Sequence, residues 1–270
     1  MHATENEQLK TQKDVKDKDS ILFEWTSALL GEENKTFSRS KRYFSSKYFS
    51  FEVLMVVYTY GYALCNLASE KIKLTSNLHD NNSIIDVYQD AALCLRKASG
   101  VFSYLANIAL PQFVTGQDLN SSQDGLSPIT PTYPTHFPNI NLKLSFPKNS
   151  FSLLPEMDVL CARALLEYSQ GIGQVIAIHT AIATGKTSGM IARLSVSVYK
   201  LFDQAQHSLI ILDNKLKNQN EKNILAGFEN MGSIMESEFR LICAQYRILY
   251  RGITLYYLAL DANQNGYVVL

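Results

Sequence analysis

The stretch TAIATGKTSG, Thr180 to Gly189, decides the fold class. Seven of its first eight positions fit the phosphate-cradling loop G-x-x-x-x-G-K-[ST], in which Lys186 would reach the phosphates and Thr187 would hold magnesium. Asp213, closing the apolar run HSLIILD, would be the magnesium carboxylate of a second strand. Such a loop must follow a buried strand, and its first glycine permits the sharp turn that aims backbone amides at the phosphates. Here that first position is Thr180, and GQVIAIHT before it continues a helical stripe begun at Met157, with neither alternation nor a turn signal. No glycine or proline occurs between Gly189 and Gly227, and the stripe from Ile191 reaches Leu209 in phase, so HSLIILD reads as the end of a helix. The spacing therefore predicts a turn between two antiparallel helices, with Gly185 as helix stop and Thr187 or Ser188 as N-cap. A nucleotide site built from Lys186, Thr187 and Asp213 stands as the alternative.

Apolar residues step by three or four on either side of this turn, as one face of a helix requires. Met157, Leu160, Ala164, Tyr168, Ile172, Val175, His179 and Ile182 form one series, and Ile191, Leu194, Val198, Leu201, Ala205 and Leu209 the next. A last series runs from Ile224 through Phe228, Met231, Met235, Ile242, Tyr246, Leu249, Ile253 and Tyr256 to Leu260; unbroken, it would span about 55 Å. Upstream, Phe51, Leu54, Tyr58, Tyr62, Cys65 and Ala68 mark one helix, and Ile84, Val87, Ala91, Leu95, Ala98, Phe102 and Leu105 another. Before them SILFEWTSALL and KRYFSSKYFSF predict two short strands around the turn-prone GEENKTFSRS, a small hairpin. All seven prolines lie between Pro111 and Pro155, where a residue without an amide donor breaks helices; a long loop is expected there, with a polyproline-like repeat at Pro128, Pro131 and Pro134. The fold class is mainly α: a curved, TPR-like stack of antiparallel helical hairpins over residues 20–270, behind a solvated tail at 1–19.

Lysine plus arginine equals aspartate plus glutamate at 25 each, which leaves no electrostatic footprint for nucleic acid. The four cysteines lie far apart without a C-x-x-C pair and are expected to be small core residues of a cytoplasmic protein, not ligands. The most apolar segment, Val53 to Ala68, is shorter than the roughly 20 residues that cross a bilayer. H-E-x-x-H, G-x-S-x-G and EF-hand patterns are missing, and tyrosines 58, 62, 246, 250, 256 and 257 sit at core spacing. No metal, no cofactor and no enzymatic activity are expected.

Several segments in order resemble the BRO domain, the helical domain of the Alix, HD-PTP and rhophilin type. FEVLMVVYTYGYALCNLA is similar to that family's F-E-x-x-x-V-L-F-N-x-G-A-L-Y-x-x-x-A helix, and LRKASGVFSYL to its F-Q-x-A-A-G-x-F-x-Y-L segment. QGIGQVIA takes the place of A-Q-A-Q-E, and GMIARLSVSVYKLFDQA resembles the helix that follows. Phe23 and Trp25 fit the family's Phe-Trp strand, and YYLALDANQNGYVVL its closing segment; against that pattern the chain looks clipped at both ends. The resemblance implies a scaffold, recruited to endosomes, that binds the C-terminal amphipathic helix of an ESCRT-III subunit of the charged multivesicular body protein class. Residue by residue, the family's apolar patch falls at Ala177, Met190 and Leu194, with Ile178 beside the position where an aromatic has become Ala177. Asp at Met190 or Leu194 is then expected to abolish capture without changing melting.

Overall fold

Residues 21–27, 29, 44–46, 48–78, 80–115, 154–225 and 238–266 are described by the computed structural model of the chain. The tail at 1–19, the Pro128/Pro131/Pro134 repeat and the connection 226–237 lie outside the described residues. Two three-residue strands, β1 (Phe23–Trp25) and β2 (Phe44–Ser46), pair antiparallel with Glu24 opposite Ser45. YFSF belongs to no strand: helix α1 (Phe49–Leu74) begins within it. Four further long helices follow, α2 (Asn81–Tyr104), α3 (Val159–Ala183), α4 (Ser188–Leu225) and α5 (Glu238–Gln264). Each packs on the next, α1 on α2, α2 on α3, α3 on α4 and α4 on α5. The chain is therefore a mainly helical stack of antiparallel hairpins with a small β-hairpin at its start.

Local chemistry starts the helices where the sequence changes character. Asp80 accepts from the Ser83 amide at 2.9 Å and Asp158 from the Leu160 amide at 2.9 Å, each satisfying an amide that a helix start leaves unpaired. Helix α2 runs on past its expected end, through a π-helical turn at Leu105–Ala109 into Leu110–Thr115. Pro111 enters where that register shift already interrupts the i to i−4 ladder, so its missing donor is tolerated. The last apolar series is also divided differently: Ile224 belongs to α4, and α5 starts at Glu238. Helix α1 is longer than its apolar run and is, among the described residues, a helix long and apolar enough by composition to cross a membrane. Phe51, Leu54, Met55, Tyr58 and Leu64 from it lie in the packed interior.

Aromatic side chains set the spacing between layers. Gly61 of α1 lies so close to α2 that a Cβ there would stand 2.7 Å from the Phe102 ring, and Tyr62 meets that ring edge-on at 5.9 Å. Gly171 of α3 makes the same room for Phe202 of α4, whose ring stacks on Tyr246 of α5 at 4.8 Å. Polar pins cross the same seams. Ser99 and Ser169 share a 2.8 Å hydrogen bond between α2 and α3, and Arg247 of α5 pairs with Asp203 of α4 at 3.1 Å. The β-hairpin is tied to the stack by the Trp25 indole, which donates to Glu52 at 2.7 Å, and by Ser27, which donates to Glu156 at 3.0 Å.

The face of α5 that meets α4 differs from the expected one. Cys243 and Tyr250 are buried and Tyr246, Ile253 and Tyr257 pack beside them, so Leu249 at 55% and Tyr256 at 61% exposure point outward. Burial pushes the Cys65 thiol up to about 11 and Cys243 up to about 12, so neither supplies a thiolate at neutral pH.

Candidate functional site at the turn between α3 and α4

Gly185 ends α3 with φ of 65°, the left-handed region that glycine enters without steric penalty. Its amide donates to the Ile182 carbonyl at 3.0 Å and the Lys186 amide to the Ala181 carbonyl at 2.9 Å, the paired bonds of a Schellman cap. Thr187 then caps α4: its hydroxyl accepts from the Met190 amide at 3.4 Å and its carbonyl from the same amide at 3.1 Å. Ser188 is buried, and its hydroxyl donates to Gln264 of α5 at 3.1 Å.

A Cβ at Gly189 would lie 2.9 Å from a carboxylate oxygen of Asp261, so an acidic side chain of α5 already occupies the positive end of the helix, where a negative charge is favoured. Lys186 is exposed on the turn. Asp213 is buried and pairs with Lys217 at 2.8 Å, and it sits on the same helix as Thr187, about 39 Å farther along at 1.5 Å per residue. Lys186, Thr187 and Asp213 do not converge, because α4 runs unbroken between the turn and Asp213.

The apolar candidates divide between inside and outside. Met190 is 45% exposed and Ala177 half-buried, but Ile178 is only 2% exposed within the main core. Leu194 is half-buried against that core, so Leu194→Asp would lower melting, contrary to the expectation from sequence. Ile182 is 46% exposed although the stripe assigns it to the interior. Ala181 faces inward instead. The Schellman bonds engage the backbone carbonyls of both 181 and 182, so the cap fixes the turn but leaves to packing which of the two side chains faces inward. His179 is exposed as well and lies 5.9 Å from Tyr88, its pKa lowered by desolvation.

Elsewhere, a polar cleft lined by Glu167, Asp203, Gln206, His207, Ser208 and Arg247 opens beside the seam of α3, α4 and α5. Its charged groups are largely paired among themselves, Arg247 with Asp203 and Ser208 with Glu167 at 3.4 Å. Among the described residues no group of three or more His, Cys, Asp or Glu side chains is placed to hold a metal ion. The chain matches no protein-family model and no curated protein sequence.

Proposed function

We propose that the chain is a non-enzymatic adaptor that captures an amphipathic helix at the α3–α4 turn. The observation that carries this reading is the pair Ile182 and Met190, at 46% and 45% exposure on the two arms of a turn held rigid by both caps. Large apolar side chains on a preorganised hairpin cost little ordering entropy on binding and suit a partner that folds its helix on contact. The proposed occupant is the C-terminal helix of an ESCRT-III subunit of the charged multivesicular body protein class, met in the cytoplasm at endosomes. The ordered segment likeness to the BRO domain supports that partner, and Met190 is the exposed member of its patch, with Ala177 and Leu194 half-buried.

Completing the burial of a half-exposed methionine contributes about 1 kcal/mol, and a carboxylate in its place must also be desolvated, so Met190→Asp should weaken capture by more than about tenfold. Fluorescence anisotropy with a labelled ESCRT-III C-terminal helix peptide measures this, with Lys186→Ala as a control that keeps wild-type affinity. Full-strength binding by Met190→Asp places the site elsewhere. No binding by the wild-type chain removes this partner class.

A further inference from the structure

Two of the described helices stop on a glycine in the left-handed region, α3 at Gly185 with φ of 65° and α5 at Gly266 with φ of 75°. The residue before each glycine reaches back one turn in the same way: the Thr184 hydroxyl donates to the Thr180 carbonyl at 2.9 Å, and the Asn265 side-chain amide donates to the Asp261 carbonyl at 2.9 Å. A short side-chain donor is all that this contact needs, and threonine supplies it. Asparagine adds an amide carbon that a neighbouring backbone nitrogen can attack. That nitrogen belongs to Gly266, and its surroundings leave it open to react. A Cβ at Gly266 would meet nothing within 4 Å, and glycine carries no side chain to shield its nitrogen. Asn265 and Gly266 are both exposed. The Gly266 amide reaches the Asn263 carbonyl only at 3.3 Å, against 3.0 Å between the Gly185 amide and the Ile182 carbonyl, and the last turn of a helix opens at little cost.

We infer that Asn265 is a site of spontaneous deamidation. When the last turn of α5 opens, the Gly266 nitrogen gives its proton to water and bonds to the side-chain carbon of the Asn265 amide. The bond from that carbon to the side-chain nitrogen breaks, and ammonia leaves with a proton taken from water. Water then opens the cyclic imide, at the side-chain carbonyl to give aspartate or at the backbone carbonyl to give isoaspartate. Either way the Gly266 N–H is restored, a molecule of water is consumed and a molecule of ammonia is released. Asn263 is also exposed, but it precedes Gln264, whose side chain crowds the next nitrogen and accepts from the Ser188 hydroxyl at 3.1 Å; Asn263 stays an amide. The product at residue 265 changes the seam on which it stands. A carboxylate cannot donate to the Asp261 carbonyl, and it places negative charge at the negative end of α5, one turn from Asp261. That turn carries Gln264 to Ser188 and Asp261 to Gly189, so the modification loosens the α5 side of the α3–α4 turn. The inference does not rest on helix capture there.

The test is peptide mass spectrometry on the full chain, kept at neutral pH and sampled over weeks. The peptide holding Asn265 should gain the mass that separates an acid from an amide and should take up heavy oxygen from labelled water. A protease that recognises aspartate but not isoaspartate should cut only part of the product at residue 265. Fragment ions should show Asn263 in the same peptide still an amide. Asn265→Thr, which copies the end of α3, should lose the modification and keep wild-type hydrogen exchange in the last turn. Asn265→Asp, the unrearranged product, should speed exchange of the amides of residues 263–265. No mass gain at Asn265 in the folded chain, when the urea-unfolded chain shows one, overturns the proposal, because the cap then protects the amide. Equal gain at Asn263 and Asn265 also overturns it, because the glycine and the open turn are then not what selects the site. Wild-type exchange in Asn265→Asp overturns the loosening of the seam.

Discussion

Helices α3 and α5 are nearly equal in length, 25 and 27 residues, and both are rich in apolar side chains. Yet α3 buries ten residues, from Cys161 to Ala181, whereas α5 buries Cys243 and Tyr250. The difference lies in their neighbours. Helix α3 is packed between α2 and α4, and α5 packs on α4. Burial in a stack of hairpins is thus decided by position in the stack more than by a helix's own composition.

The largest effect expected from this contrast is on stability at single side chains. Phe202 is fully buried between Gly171 of α3 and Tyr246 of α5, so Phe202→Ala should cost about 3–5 kcal/mol in urea unfolding. Ile248→Ala on the outer face of α5, measured at low micromolar concentration, should stay within about 0.5 kcal/mol of wild type. Comparable costs for the two would erase the distinction between the helices.

A second, smaller effect has opposite signs in the two helices. A methyl group at Gly171 would meet the Phe202 ring at 2.8 Å, and overpacking of this kind costs about 1–3 kcal/mol. At Gly252 a methyl group meets nothing within 4 Å, so Gly252→Ala should stabilise α5 by about 0.5–1 kcal/mol. Thermal melts of both variants read the signs directly, and a stabilising Gly171→Ala would show that α3 is packed more loosely than described.

The smallest effect is a pH dependence at the seam. Desolvation holds the Glu167 carboxyl above its ordinary 4.5, partly offset by the Ser208 hydroxyl and by Arg163. The folded chain therefore binds this proton more tightly than the unfolded chain, and the associated stability, full below 4.5, is lost as pH rises through the folded value. Glu167→Gln should flatten that fall in urea midpoints as pH rises above 4.5, and an unchanged slope would mean that Glu167 is as well solvated as an α5 flank residue.

Much of this was legible without coordinates because it is local. Gly185 and Thr187 announce a helix stop and a helix start by backbone chemistry alone, and the stripes of α1 and α2 pick out Phe51, Leu54, Tyr58, Ala91, Leu95, Ala98 and Phe102, all buried. The candidate site was less legible. One residue is about 100° of helix rotation, so a stripe that fits Ile182 or Tyr256 as well as its neighbour cannot say which faces in. Ile178 went inside and Ile182 outside for that reason, and nothing near Gly189 announces Asp261, which arrives from 72 positions away.

Helix positions, their caps and the exclusion of a strand before Lys186 rest on interactions within about one turn of chain, and these the amino-acid sequence determines by itself. Which apolar face is covered depends on a neighbouring helix that comes from elsewhere in the chain. That choice is made by packing, where Phe202 needs Gly171 and Asp261 needs Gly189 at contact distance. Only the tertiary structure could therefore decide that Met190 and Ile182 face outward at the turn, and that Leu241, Ile248 and Leu255 are left exposed along α5.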